Sequence, residues 1–245
     1  MLALRWFTAA LFIVAIPVFL VLSNVRIATT DSHVYDYAFS QYDAPARTGI
    51  ERPELDRAAR EIVQYFQASE RDSLLDIRVA IAGEQQPLFS EREVLHMRDV
   101  RDLFQLVFRI HELAFVYAVG YIATAVLWSR ERSMQRLARQ LATAGALTAG
   151  LFALGAMAVL VGFDTLFTQF HVLSFSNDFW QLDPARDHLI QMFPEGFWYD
   201  VTLGVGVMSI LEGGLLTALA LGYLTWLARD RPRWRPHWPL PVPRW

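Results

Sequence analysis

Four residues within less than three helical turns could do acid–base chemistry together: Arg92, Glu93, His96 and Asp99, in the run Phe89-Ser-Glu-Arg-Glu-Val-Leu-His-Met-Arg-Asp-Val100. On a helix, Arg92 and Glu93 lie four and three residues before the imidazole and Asp99 three after, on adjoining parts of one face. A carboxylate bonded to one ring nitrogen would fix the tautomer and raise the basicity of the other, as a general base requires. The plainer reading is a solvated helix beside a membrane, its charges pairing with each other and with headgroups.

A second imidazole, His171, stands in a polar-aromatic stretch between two further apolar segments. The expectation is that His96 and His171 face each other at a membrane surface. Aromatic residues this dense next to a span suit an interfacial belt, which accounts for Phe167, Phe179 and Trp198. It does not account for Asn177 and Asp178, set beside Trp180, because polar groups near lipid need partners. His188 follows Asp187 in an exposed-looking stretch and reads as surface. His96, Asp99, Glu93, His171 and Asp178 could in principle make a nitrogen–oxygen metal site. With no His-Glu-x-x-His or comparable spacing, no metal is expected. The chain has no cysteine and no lysine, which excludes disulfides, thiolate chemistry and Schiff bases.

These residues must be positioned by membrane helices. Of 245 residues, 54% are hydrophobic, and a hydrocarbon core about 30 Å thick needs about 20 helical residues to cross. Spans are expected at 1–23, 105–128, 140–163 and 201–228. The first is read as an uncleaved span kinked at Pro17. The second is interrupted near its start by Arg109, His111 and Glu112, the last two as interfacial anchors or an outer layer of the site. Glu212, in the fourth, is an intramembrane carboxylate beside Gly213-Gly214, read as a packing feature before a functional one. Ala142, Ala146 and Gly150, four apart, would form a close-approach face in the third.

The N-terminus, the 129–139 loop and the 229–245 tail carry ten arginines against Glu131 and Asp230. The 164–200 loop carries six carboxylates and only Arg186. The positive-inside rule then puts both termini in the cytoplasm and the 24–104 and 164–200 segments outside. Net charge, −3, conceals this asymmetry. Within 24–104, Glu51-Arg-Pro-Glu54 reads as a helix start, followed by Leu55, Ala59, Ile62, Val63 and Phe66 on one face. Ile77, Val79 and Ile81 alternate as a strand, with Gly83 turning it into a short hairpin. Ser90 and Glu93 form a capping box from which a helix runs through His96 into the second span. The fold class is thus an all-α membrane protein, a four-helix transmembrane bundle with a small extracytoplasmic cap of helices plus a β-hairpin.

The motifs Phe89-x-x-Arg92-Glu93-x-x-His96-Met97-x-Asp99-Val100, Phe170-His171, Asn177-Asp178-x-Trp180-x-Leu182, Asp187-x-Leu-Ile190 and Phe193-Pro194-Glu195 together resemble the bacterial lipoprotein intramolecular transacylase family. The resemblance implies a multi-pass protein of the bacterial cytoplasmic (inner) membrane with its active site on the extracytoplasmic side. It implies transfer of the sn-2 acyl chain of a diacylglyceryl group to the α-amine of a lipoprotein's N-terminal cysteine, giving the lyso form. His96 and His171 stand where catalytic histidines are expected, with Arg92, Glu93, Asp99, Asn177, Asp178 and Trp180 binding or orienting substrate. Arg92, Asn177 or a backbone N–H would face the oxyanion. No cofactor and no nucleic acid are implied, and the partners are a diacylglyceryl lipoprotein and membrane lipid, met by a monomer. The absence of lysine, Glu212 and the arginine-tryptophan tail are departures. The alternative is a non-catalytic membrane scaffold that binds a partner through its cap.

Overall fold

The computed structural model describes residues 2–68, 75–81, 83–127 and 131–229. Arg130, the side chain of Arg132 and the tail arginines beyond Arg229 lie outside the described residues. Eight helices and one hairpin follow in order: α1 Leu2–Thr30, α2 Ser32–Gln41, α3 Ala44–Thr48, α4 Arg52–Gln67, β1 Arg78–Ile81, β2 Glu84–Pro87, α5 Glu91–Leu127, α6 Glu131–Ser174, α7 His188–Met192 and α8 Glu195–Arg229. α1, α5, α6 and α8 are long and apolar enough to cross a membrane. Their outward faces carry exposed aliphatics, among them Leu113, Val161 and Leu215. That is the pattern expected where hydrocarbon is the solvent. The chain is therefore a multi-pass membrane protein.

These helices outrun the bilayer. The 35 residues of α8 are roughly 52 Å long at 1.5 Å per residue, well beyond a hydrocarbon core of about 30 Å. The segment expected as a 164–200 loop is accordingly helical at both ends: α6 continues to Ser174 and α8 begins at Glu195. α6 is broken at Gly162, whose backbone is non-helical. Helix α5 likewise runs without interruption from the capping box into the second span. The Ser90 amide donates to Glu93 Oε2 at 2.7 Å, and Glu93 N reaches Ser90 Oγ at 3.4 Å. α1 stays helical through Pro17.

The cap is not a separate body. Its α2, α4 and β1 contribute Phe39, Leu55, Ile62 and Val79 to a core completed by Met97 of α5, Met192 of α7, Phe193 just after it and Phe197 of α8. α4 supplies Leu55, Ala58, Ala59, Ile62 and Phe66 from one face, because apolar residues recur there at helical spacing. β1 and β2 pair antiparallel from Arg78–Pro87 to Ile81–Glu84. Gly83 adopts φ +88° at the turn, a conformation glycine reaches without Cβ strain. A second, smaller core centred on Phe12, Ile16, Ala118 and Ala144 joins α1, α5 and α6.

Between α6 and α8 the close-approach face differs from the expected one. Ala142 is buried, but Ala146 and Gly150 point outward. The contact runs instead through Gly145 and Gly213, where a Cβ added to Gly213 would lie 2.6 Å from the Gly145 carbonyl oxygen and 2.9 Å from Ala149 N. Residues three apart (Ala142, Gly145, Thr148) share the helix face as well as those four apart, and packing against Thr217 selects this set. Gly213→Ala should therefore cost about 1–3 kcal/mol through overpacking. Gly214→Ala, with nothing within 4 Å of its added carbon, should leave thermal unfolding in detergent unchanged.

The membrane-level polar residues are paired between helices. Asn24 Nδ2 donates to Glu212 Oε2 at 3.0 Å and to Ser209 Oγ at 3.3 Å. His111 Nε2 meets Ser23 Oγ at 2.9 Å, and Glu112 accepts from Arg26 at 3.0 Å. His111 is fifteen residues along α5 from His96, roughly 22 Å, so it belongs to the α1–α5 contact and not to an outer layer of the site.

Candidate functional site

His96 enters from the first turns of α5 and His171 from the last turn of α6, and the fold brings their rings to 5.9 Å between centroids. Both are buried, with 6% and 7% of their surface exposed. Aromatic rings fill the space around them. Phe167 and Phe175 flank His171 at 4.4 and 5.7 Å, Trp180 lies over it at 5.0 Å, and Phe175 also meets His96 edge-on at 5.2 Å. Phe167, His171 and Phe175 are spaced four apart, a single helix face that sequence reading passed over in favour of a general girdle.

The tautomer of His171 is set by the main chain and not by a carboxylate. Its Nδ1 lies 2.7 Å from the Phe167 carbonyl oxygen, so Nδ1–H donates there and Nε2 is left as an acceptor. His96 Nδ1 is buried with no hydrogen-bond partner among the described residues. The carboxylate–imidazole bond expected from residue spacing does not form. Glu93, only 2% exposed, is turned the other way: Oε2 takes the Ser90 amide and Oε1 the Leu189 amide, both at 2.7 Å. One carboxylate thus caps both α5 and α7, where helix N-termini favour negative charge. His188, expected on the surface, is half-buried and its Nδ1 donates to the Leu88 carbonyl at 2.6 Å. It closes the same joint.

Arg92, Asp99, Asn177 and Asp178 hold the loop that carries Trp180. Asn177 Nδ2 donates to Asp99 Oδ2 at 2.8 Å, and Asn177 Oδ1 accepts the Phe179 amide at 3.1 Å. Arg92 donates to the Asp178 carbonyl oxygen at 2.5 Å. These bonds pin the 175–187 segment to α5 across 78 and 86 residues of chain. Asn177→Ala should loosen Trp180 over His171 and reduce turnover about tenfold. Combining it with Asp99→Ala should add little, because both changes remove one interaction. Steady-state kinetics of the two single variants and the double variant test this. Among the described residues, no group of three or more His, Asp or Glu side chains gathers to hold a metal ion.

The two imidazoles form part of the wall of a cavity of about 170 Å³. Its other walls are largely apolar and come from the cap (Tyr35, Ile62, Phe66), α5 (Met97, Leu103, Phe104) and the start of α8 (Phe197, Trp198). Glu195, an exposed residue at the start of α8, also lines it, a residue to which the sequence motif alone assigned no role. A mostly apolar chamber with two convergent nitrogen bases and one carboxylate suits a ligand with long hydrocarbon chains and a polar reacting head.

The sequence matches the family described as lipoprotein intramolecular transacylase Lit over residues 10–198. An uncharacterized protein of Aquifex aeolicus is 24% identical over 194 residues, covering 79% of this chain and 83% of its own. The membrane-integral lipoprotein intramolecular transacylase Lit of Bacillus cereus has the same fold, with TM-score 0.77 at 18% identity over 94% of this chain and all of the other. A variant of that Bacillus cereus protein with one histidine changed to alanine superposes with TM-score 0.70 at 16% identity, over 94% of this chain and 97% of the other. With a family match that spans most of its length, the chain belongs to the lipoprotein intramolecular transacylases, a family of membrane acyltransferases.

Proposed function

We propose that this chain converts diacylglyceryl lipoproteins to the lyso form by moving the sn-2 acyl chain to the α-amine of the N-terminal cysteine. The observation that carries the reading is the pair of buried imidazoles 5.9 Å apart in the wall of an apolar cavity. Acyl chains fill the cavity, and the ester and amine meet at the imidazoles. His96 removes a proton from the α-amine as its nitrogen attacks the sn-2 ester carbonyl. The carbonyl–glycerol C–O bond then breaks, and the departing oxygen takes a proton, so that one amide and one glycerol hydroxyl result. His171 orients the headgroup through Nε2 and shares the proton transfer. Burial holds both imidazoles below their ordinary range, so they stand as neutral bases able to take the proton that an α-amine of pKa near 7.7–8.0 must give up.

Nucleophile and ester belong to one molecule, so the protein's main task is to fold the headgroup into a near-attack shape. Such positioning is worth roughly 7–11 kcal/mol in favourable cases. Arg92 and Asn177, expected to face the oxyanion, each spend a donor on fixing the Trp180 loop. Their part is to position that loop. The 164–200 segment, with six carboxylates against Arg186 alone, supports an extracytoplasmic site on a bacterial inner membrane under the positive-inside rule.

Mass spectrometry of lipoprotein N-terminal peptides from cells with and without the protein tests the reading. The expected result is lyso-form peptide that requires both His96 and His171. Unchanged diacylglyceryl peptide with wild-type protein, or full lyso-form from both alanine variants, would overturn it. Full function of the alanine variants with loss on disruption of the cap surface would point to a scaffold.

A further inference from the structure

Glu195 opens α8 and lines two spaces at once. One is the cavity of about 170 Å³ that His96 and His171 share. The other is a more open crevice of about 460 Å³ between the α6 break at Gly162 and the start of α8, lined also by Asp164 and Tyr199. Among the described residues lining the inner cavity, Glu195 is the only one with a carboxylate, and no arginine joins it. Asp164, exposed like Glu195, lines the same crevice.

A carboxylate at the junction of an open crevice and an apolar chamber has an obvious chemical counterpart. Resting on the transacylase reading, the substrate enters as a monocation: an α-ammonium joined on one side to a peptide and on the other to two acyl chains. A cation does not enter a greasy space without a counter-charge. His96, 6% exposed and with Nδ1 unpartnered among the described residues, faces the same cavity and awaits a polar group. We propose that Glu195, supported by Asp164, is the binding site for the α-ammonium of the substrate cysteine, with the peptide in the crevice and the acyl chains in the inner cavity. The carboxylate holds the ammonium beside the imidazoles until it gives up its proton. Glu195 thereby selects free N-termini over acylated ones.

The test is binding of a synthetic diacylglyceryl-cysteine peptide to detergent-solubilised protein, with a free α-amine and in N-acetylated form, on a His96→Ala background that blocks turnover. The protein with Glu195 intact should prefer the free amine about 10- to 100-fold, as a charge-assisted contact allows. Glu195→Gln should erase that preference while leaving affinity for the N-acetylated peptide unchanged, which also reports an intact fold. Asp164→Asn should keep the preference. Preference retained in Glu195→Gln, or no preference with Glu195 present, would overturn the assignment. Lyso-form production by the wild-type protein is read in parallel. Its absence beside a Glu195-dependent preference removes the transacylase reading and leaves the ammonium site standing.

Discussion

Replacing His96 by alanine should reduce kcat/KM for lyso-form production by about 10²–10⁴-fold, the span that positioned acid–base groups supply. His171→Ala should fall in the same range, because it removes both the Nε2 acceptor and the bond that fixes its ring to the Phe167 carbonyl. The double variant should be little worse than either single one. Two groups that act on one proton transfer lose their joint effect when the first is removed. Stability should move differently. His96 buries a nitrogen without a partner, which costs free energy where it stands. Its loss should therefore cut turnover without a comparable drop in melting temperature. A variant that lost activity only in proportion to folded protein would show the ring to be structural.

Glu93→Gln should be the most destabilising isosteric change in the cap, at about 3–5 kcal/mol. Each carboxylate oxygen takes one backbone amide at 2.7 Å, that of Ser90 in a part-buried bond and that of Leu189 in a buried one. Hydrogen bonds to a charged group contribute roughly 1.5–3 kcal/mol each, and a buried donor left unmade adds its desolvation cost. Glutamine keeps one acceptor and sets its NH₂ against the other amide. Either α5 or α7 then loses its cap, whichever way the amide turns. The measurement is thermal unfolding in detergent, with activity per folded molecule followed alongside. The expected outcome is a large loss of melting temperature with near-normal turnover in the fraction that remains folded at low temperature. A glutamine variant as stable as the wild type would show that Glu93 is not the clasp between these helices.

Much of the architecture could be read from residue order because its causes are local or set by the solvent. Four apolar runs require four membrane helices. Ser90 and Glu93 cap a helix three residues apart, and Gly83 turns a hairpin between short strands, whatever the rest of the chain does. Hydrocarbon thickness was a poor guide to helix ends, however. Backbone hydrogen bonds continue wherever no breaker intervenes, as in α5 from Glu91 to Leu127, and even the break at Gly162 does not end the helical run before Ser174.

Around the site, residue types were legible and their partners were not. Spacing put Glu93, His96 and Asp99 on neighbouring parts of α5, which invited a carboxylate–imidazole pair. A helix face, though, covers more than one neighbour. Glu93 found two uncapped amides and Asp99 found Asn177, while His171 used a carbonyl one turn back. Such choices depend on which donors arrive from segments 78 to 96 residues away, and local spacing carries no information about them. The same holds for Gly145 and Gly213, since only the packed pair reveals which small residues touch.

By itself the residue order determined a membrane protein, its number of candidate spans and two histidines worth watching, since hydropathy, charge bias and capping act over a few neighbouring residues. Tertiary structure alone decided that the two rings share one cavity, that Glu93 serves as a clasp and that Glu195 joins the cavity wall. Burial, ring proximity and the satisfaction of distant amides are properties of the packed chain, fixed only when α5, α6, α7 and α8 close on one another.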